Sequence, residues 1–240
     1  MGIGEKGKKK MAIFLDTGRI EDVEKYMRMG VIRGVTTNPT ILLKAGVTGG
    51  REAIKKRSIE IADLIKPYPL SVEVTTNDYE QMIAQARAYA QWAGNINVKI
   101  TVHGPGGEME NFEAVHLLET KYDVRINMTA MMSAQQCLLG ALAGATYVSL
   151  FGGRVNNMGY NCVSEIRKAR AVLDLQKLKA QIIIGSTREV LNVIEWLEAG
   201  AHIVTVAPEL IKGMIVHPYS KETVQMFLED ARKAESILSK

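Results

Sequence analysis

Cysteine, aromatic side chains and long apolar runs are all scarce in this chain of 240 residues. The only two cysteines, Cys137 and Cys162, offer neither a zinc-ligand spacing nor a disulfide framework, so we expect a reduced, cytoplasmic protein. Aromatic residues make up only 6% of the chain, and no basic patch interleaved with aromatics is present, which disfavours nucleic-acid binding. No apolar run reaches the length of a membrane span and no secretory signal peptide is evident, so we expect no membrane partner.

What remains is an ordinary globular composition, with 47% hydrophobic and 23% charged residues. The formal net charge is +4, and much of it comes from four lysines in the first ten residues. This Gly/Lys run predicts a flexible basic arm over residues 1–11. The length of the remainder, residues 12–240, suits one large domain.

Eight short apolar segments each precede a segment with helical spacing. The predicted strands cover residues 12–16, 34–38, 70–75, 95–101, 125–130, 147–151, 181–186 and 202–206. Strict alternation predicts a parallel sheet, and eight repeats predict an α/β fold closed into a single (β/α)8 TIM barrel. A doubly wound open sheet is the alternative, weakened because no G-x-G-x-x-G motif follows the first strand.

Two segments between and after these units carry further expectations. Residues 152–162 are polar and contain glycine, which predicts a loop. An extra C-terminal helix over residues 221–238 has one apolar stripe, formed by Val224, Phe227, Leu228 and Ala231. That stripe either covers its own barrel or packs against a neighbouring subunit.

A lysine lies in the middle of the fourth predicted strand. Val98 and Ile100 alternate with Asn97, Lys99 and Thr101, the period-two pattern of a strand. Because burying an ammonium group is costly, one interpretation is an edge-strand lysine that points to water. The other is a desolvated lysine that attacks a carbonyl and forms a Schiff base. This stretch alone leaves both open.

Polar side chains lie near the carboxyl ends of seven of the eight predicted strands. In strand order they are Asp16; Asn38; Glu73; Lys99; Asn127 with Thr129; Ser149 with Phe151 on the same face; and Ser186, with Arg188 just beyond it. The active site of a TIM barrel is built at this end of the strands. One lysine, two carboxylates and several hydrogen-bonding groups gathered there favour Schiff-base aldol chemistry.

Five motifs carry a resemblance to a known family. They are Phe-Leu-Asp-Thr at 14–17, Gly-Val-Thr-Thr-Asn-Pro at 34–39, Val-Lys-Ile at 98–100, Asn-Met-Thr at 127–129 and Tyr-Val-Ser-Leu-Phe-Gly-Gly-Arg at 147–154. From about residue 12 onward the chain resembles the transaldolases, and in particular the small subfamily that includes the fructose-6-phosphate aldolases. The resemblance implies a class I enzyme without metal or cofactor. Such an enzyme moves a dihydroxyacetone unit from a ketose phosphate, such as fructose 6-phosphate or sedoheptulose 7-phosphate, to an aldose phosphate.

The resemblance also implies roles for individual residues. Lys99 would form the Schiff base, Glu73 would act on it through a water that Thr129 positions, and Asp16 would handle the proton of the substrate hydroxyl at the bond that breaks. The implied substrate-binding residues are Asn38, Asn127, Ser149, Phe151, Arg154, Ser186 and Arg188, the arginines and Ser186 holding the phosphate.

Three positions favour transfer over release of free dihydroxyacetone. The aldolases of this subfamily have glutamine where this chain has Glu73, lack the asparagine at Asn127, and have tyrosine where it has Phe151. Departures at residues 101–107, where His103 precedes a Gly-Pro-Gly-Gly turn, leave the acceptor sugar and the pathway open. A fructose-6-phosphate aldolase-type lyase, a transaldolase-like enzyme of a specialised sugar pathway, and an idle barrel that serves as a binding protein are the alternatives. The resemblance further implies a homo-oligomer, a pentamer or decamer.

Overall fold

Residues 13–238 are described in the computed structural model, with side chains through residue 235, and the predicted basic arm lies outside them. Eight parallel strands pair in chain order, and β8 pairs with β1, so the sheet is a closed barrel. The strands are β1 Ile13–Asp16, β2 Val35–Thr36, β3 Leu70–Glu73, β4 Ile96–Thr101, β5 Ile126–Met131, β6 Tyr147–Phe151, β7 Gln181–Gly185 and β8 Ile203–Val206. This confirms the predicted (β/α)8 barrel, and the alternative of an open sheet is wrong.

Helices follow the strands and form the outer layer of the barrel. They are α1 Ile20–Arg28, α2 Pro39–Lys44, α3 Gly50–Ile65, α4 Tyr79–Ala90, α5 Glu110–Lys121, α6 Ala134–Leu142, α7 Gly152–Asn157, α8 Cys162–Leu175, α9 Val190–Glu198, α10 Pro208–Ile215 and α11 Pro218–Leu238. Asp78 and Ser133 cap the starts of α4 and α6, where each side chain accepts a hydrogen bond from a backbone amide. Within residues 13–238, none of the helices combines the length and apolar character needed to cross a membrane.

The alternation of side chains along each strand separates an apolar outer face from a mixed interior. On β4, Val98 and Ile100 are fully buried in the main hydrophobic core between strands and helices, while Lys99, on the other face, is 5% exposed. A closed barrel has no edge strand, so the interpretation of Lys99 as an edge-strand lysine is wrong.

An apolar plug fills the barrel interior towards the amino ends of the strands. Phe14, Tyr147, Ile183 and Ile203 form a separate buried cluster there. One layer further along the strands the interior side chains become polar, and this polar layer includes Asp16 on β1 and Lys99 on β4. The plug therefore closes the floor of any cavity that opens at the carboxyl ends.

The loop predicted for residues 152–162 is wrong in its first half, because α7 spans Gly152–Asn157. Glycines at its start allow the helix to lie directly against β7. A Cβ atom at Gly153 would lie 1.9 Å from the carbonyl oxygen of Ser186. The polar Asn156 accepts a hydrogen bond from the amide of Cys162 at 3.0 Å, so it ties α7 to α8.

The C-terminal helix α11 begins at Pro218, three residues before the predicted start, and extends to Leu238. Every residue from 215 to 235 is exposed. The apolar stripe predicted on this helix includes Val224 at 55%, Phe227 at 61% and Leu228 at 56% exposure. The stripe does not cover its own barrel.

Candidate active site

Lys99 points into the barrel at the level of two other polar residues. Strand register places Glu73 on β3 and Asn127 on β5 directly beside it. Its Nζ donates to the carbonyl oxygen of Thr37 at 3.2 Å and lies 3.4 Å from Oε2 of Glu73. Burial, one carbonyl and one carboxylate therefore hold this amine in one position, as a nucleophilic amine requires.

A cavity of about 250 Å³ opens above this lysine at the carboxyl ends of the strands. Ten of the eleven residues predicted for the site line it: Asp16, Asn38, Lys99, Asn127, Thr129, Ser149, Phe151, Arg154, Ser186 and Arg188. The eleventh, Glu73, reaches the site through its contact with Lys99. The fold therefore brings all the predicted residues to one end of the barrel.

Asp16 differs from Glu73 in its surroundings. Its Oδ1 accepts a hydrogen bond from the hydroxyl of Thr36 at 2.6 Å. Burial raises the pKa of Asp16, and the nearby Lys99 charge and the Thr36 hydrogen bond oppose that rise only in part. A carboxyl group with a raised pKa exchanges a proton more readily near neutral pH, which suits general acid–base chemistry.

Asn127 is fully buried and held on both sides of its amide. Its Nδ2 donates to the hydroxyl of Ser71 at 3.0 Å, and its Oδ1 accepts from the hydroxyl of Ser149. The hydroxyl of Thr129 is buried and has no hydrogen-bond partner among the described residues. A buried hydroxyl of this kind fits a bound water.

Asn38 has a structural role besides lining the cavity. Its Oδ1 accepts from the amide of Ile41 at 2.8 Å and caps the N-terminus of α2, where Pro39 is the first helical residue. The side-chain nitrogen Nδ2 of Asn38 takes no part in this cap.

Three residues with hydrogen-bond donors gather on the β6 and β7 side of the cavity. Arg154 lies on α7 with its guanidinium 5.8 Å from the ring centre of Phe151, and Ser186 and Arg188 follow β7. Ser186 has a φ of +59°, and Ala130, next to Thr129, has +61°. Non-glycine residues at positive φ carry strain that tends to mark functional sites. Two guanidinium groups and a hydroxyl at one end suit a phosphate oxyanion.

A second concavity of about 430 Å³ adjoins the first at the mouth of the barrel. The two share Asp16, Ile41, Ser186, Arg188 and Thr205. The second extends to Arg19 and Lys44 on the β1 and β2 side.

Several residues of the site had no predicted role. Thr36 and Thr205 line the cavity, Ser71 bonds Asn127, and the backbone of Thr37 bonds Lys99. Thr205 could have been found, because it is the polar residue near the carboxyl end of β8, the one predicted strand without a site residue. Ser71 could not, because its role depends on the register between β3 and its neighbours.

The two cysteines lie away from this chemistry. Cys137 and Cys162 are buried, and neither forms a disulfide within the described residues. Burial raises the pKa of each thiol to about 12, so both stay protonated and unreactive. In the same residues, no group of three or more His, Cys, Asp or Glu side chains is arranged to hold a metal ion.

Comparison with known proteins identifies the family of this chain. Residues 13–239 match the family described as transaldolase/fructose-6-phosphate aldolase. A "Probable transaldolase" from Dehalococcoides mccartyi is 35% identical over 94% of this chain and 100% of its own length. Another from Carboxydothermus hydrogenoformans is 37% identical over 92% of this chain and 97% of its own.

Similarity to solved structures extends to the fold alone. A thiamine phosphate pyrophosphorylase from Pyrococcus furiosus superposes with a TM-score of 0.59 over 82% of this chain and 86% of its own, at 13% identity. The sequence matches span almost the whole barrel and identify a family, whereas this structural likeness identifies only the fold. The chain belongs to the transaldolase/fructose-6-phosphate aldolase family.

Proposed function

We propose that this protein is a class I transaldolase that transfers a dihydroxyacetone unit between sugar phosphates through a Schiff base on Lys99. The observation that carries the proposal is the position of Lys99. Its amine is buried in the polar layer of the barrel, 3.4 Å from Glu73, and shares one cavity with Asp16 and two arginines.

The first half-reaction follows from the three ionisable side chains. The amine of Lys99 attacks the C2 carbonyl of the ketose phosphate, and loss of water gives the imine. Glu73, with a water on the Thr129 hydroxyl, carries the protons of this dehydration. Asp16 then takes the proton of the C4 hydroxyl, and the C3–C4 bond breaks. The electron pair of that bond moves into the iminium and gives an enamine, and the aldose phosphate leaves.

The second half-reaction reverses these steps with a different aldose phosphate. The enamine attacks the new aldehyde carbon, Asp16 returns its proton to the forming alkoxide, and water releases the product ketose from Lys99. No electron is gained or lost overall, so the proposed chemistry needs no cofactor.

Substrate recognition follows from the remaining cavity residues. Asn38, Asn127 and Ser149 bind the hydroxyls of the dihydroxyacetone end, and Phe151 forms the apolar wall beside them. Arg154, Arg188 and Ser186 bind the phosphate. The adjoining concavity towards Arg19 and Lys44 gives room for acceptors of different length.

A transaldolase and a lyase differ in the fate of the enamine. It either attacks an acceptor aldehyde or is released as free dihydroxyacetone. Glu73, Asn127 and Phe151 favour transfer by resemblance, and the buried chain from Ser71 through Asn127 to Ser149 supports a rigidly held Asn127. The test is to supply fructose 6-phosphate with and without erythrose 4-phosphate and to quantify sedoheptulose 7-phosphate and free dihydroxyacetone.

A transaldolase forms the heptulose phosphate and releases little free dihydroxyacetone in either mixture. Dihydroxyacetone released at a similar rate without acceptor would instead establish the lyase alternative. A barrel that neither transfers nor releases the unit with any phosphorylated aldose in a panel of acceptors would serve as a binding protein.

The assembly we propose is a homo-oligomer in the reducing cytoplasm, a pentamer or decamer as the resemblance implies. The exposed apolar stripe of α11 supports it, because a stripe that its own barrel leaves uncovered is available to a second copy.

A further inference from the structure

A pair of threonine hydroxyls lies beneath the Asp16 carboxylate. β1 lies between β2 and β8 in the barrel, and Thr36 on β2 is level with Asp16 while Thr205 on β8 is level with Phe14. The hydroxyls of Thr36 and Thr205 meet across the inside of β1 in a short hydrogen bond. The pair therefore connects the level of the carboxylate on β1 to the level of Phe14, which belongs to the apolar plug.

The donors in this chain can be assigned by counting protons. When Asp16 is ionised it can only accept, so Thr36 donates its one hydroxyl proton to Oδ1 of Asp16 over 2.6 Å. The bond between the two threonines must then be donated by Thr205 and accepted by Thr36. The order of donation runs from Thr205 to Thr36 to Asp16, and it occupies Oδ1 from below.

Thr205 itself is fixed by its neighbours. It is 7% exposed, and its backbone carbonyl accepts a hydrogen bond from the hydroxyl of Thr187 at 2.8 Å. Its methyl group packs 3.4 Å from the position that a Cβ atom of Gly185 would take. With the backbone and the methyl group both held, the hydroxyl of Thr205 is directed by packing and not by the substrate.

We propose that Thr205 is a positioning residue for the proposed reaction, acting through Thr36 to hold Oδ1 of Asp16 so that Oδ2 faces the substrate hydroxyl. The proposal rests on the proposed function, because it assigns Asp16 the proton of that hydroxyl. Hydrogen bonds donated in sequence polarise one another, so the Thr205 bond strengthens the bond from Thr36 to the carboxylate. Both bonds stabilise the ionised form that accepts the proton.

The test compares Thr205→Val, which keeps the shape and loses the hydroxyl, with Thr205→Ser, which keeps the hydroxyl and loses the methyl group. For Thr205→Val we expect kcat for fructose 6-phosphate cleavage to fall about three- to tenfold, the size of one neutral hydrogen bond. Because a donor to the carboxylate is weakened, the acid limb of the pH–rate profile should move to higher pH. Thr205→Ser should restore both.

Lys99 acts directly on the charge of Asp16, with Glu73 paired to it, and Arg154 and Arg188 line the same cavity. The adjoining concavity, which Asp16 also lines, adds Arg19, Asp22, Lys44 and Glu209. Both substitutions leave all of these groups unchanged, so a moved acid limb reports on the hydroxyl of residue 205. A packing defect would lower kcat without moving that limb.

Borohydride trapping of the Lys99 imine separates failure of this role from failure of the mechanism. Normal trapping in Thr205→Val with a wild-type kcat and pH profile would overturn the role of Thr205 alone. Equal losses in Thr205→Val and Thr205→Ser would also overturn it, because the methyl group would then be what matters. Absence of trapping in the wild-type protein would overturn the proposed function, and the role of Thr205 with it.

Discussion

Two carboxylates flank Lys99, and their surroundings differ. Glu73 lies 3.4 Å from the lysine nitrogen, with its side chain 18% exposed. Asp16 receives the Thr36 hydroxyl and lies above the apolar plug, where burial raises its pKa. Two carboxyl groups with different environments can serve two different proton transfers in one reaction.

The raised pKa of Asp16 predicts that removing its ionisable group stabilises the folded protein while it lowers activity. Above the ordinary value of 3.8 the unfolded chain releases this proton while the folded protein still holds it, so the free energy of unfolding falls as pH rises through that interval. Asp16→Asn removes the ionisation. It should unfold at higher temperature than wild type near neutral pH, with the difference shrinking towards pH 3.8.

The same variant should lose about 10²- to 10⁴-fold in turnover, the usual contribution of a general acid–base group. Asp63→Asn is the control, because Asp63 is exposed and pairs only with Lys66 at 2.6 Å on the surface of α3. Thermal melts across the pH range check this, and an Asp16→Asn variant less stable than wild type at neutral pH would contradict it.

The sequence identified residues whose chemistry is unusual beside that of their neighbours in the chain. Lys99 stands out because its neighbours are Val98 and Ile100, and a charged group in an apolar strand needs a reason. Ser71 did not stand out, because serine is unremarkable in a strand, and the place of Thr205 near the end of β8 indicated the site but not the partner of its hydroxyl. Their roles depend on which hydroxyl meets which partner across the barrel, and that is set by register and not by composition.

At the scale of elements, the junction between α7 and β7 holds together the three residues that we propose bind the phosphate. Gly152 and Gly153 start α7 directly after β6, and the backbone of Gly153 lies against the carbonyl of Ser186. Arg154 is the next residue. The contact therefore fixes the distance between Arg154 on one side and Ser186 and Arg188 on the other.

Gly153→Ala should increase the distance between Arg154 and the two residues opposite it, Ser186 and Arg188. Its Cβ would lie 1.9 Å from the Ser186 carbonyl oxygen, a backbone atom that cannot move aside as a side chain would. We expect the KM for fructose 6-phosphate to rise roughly tenfold or more, the loss of about one charge-assisted hydrogen bond. Activity towards unphosphorylated fructose should change much less.

Gly94→Ala is the matched control, because nothing lies within 4 Å of its Cβ position and its φ is not positive. Steady-state kinetics with both sugars measure the effect. Equal changes for the two sugars in Gly153→Ala would contradict the assignment of the phosphate end.

The strands and their order followed from the alternation of apolar segments along the chain, but α7 did not. Its six residues, Gly-Gly-Arg-Val-Asn-Asn, have the composition of a loop. Two glycines at the start of a helix are unfavourable by propensity. The close approach to β7 requires them, and only the tertiary structure shows that approach.

At the scale of the whole molecule, the barrel leaves the apolar face of α11 uncovered. Sequence could identify the stripe of Val224, Phe227 and Leu228 but not what covers it, because a helix that folds back and one that projects have the same periodicity. The exposure of all three side chains excludes the first.

Val224→Glu combined with Phe227→Glu should dissociate the oligomer, because a buried unpaired charge is strongly unfavourable. Light scattering should give wild type a mass of several 26.5 kDa chains and the double variant a mass near one chain. Gln225→Lys, which keeps the pairing with Glu229 one turn on, should behave as wild type. Wild-type protein that runs as a single chain at micromolar concentration would contradict the proposed assembly.

The central claim is that Lys99 forms an imine with a ketose phosphate. Incubation with fructose 6-phosphate and borohydride, followed by peptide mass mapping, tests it directly, with Lys99→Arg as the control because a guanidinium stays protonated and cannot attack a carbonyl. We predict an irreversible mass increase on the peptide that contains Lys99 and none in Lys99→Arg. An unmodified Lys99, or turnover in Lys99→Arg comparable to wild type, would contradict the mechanism.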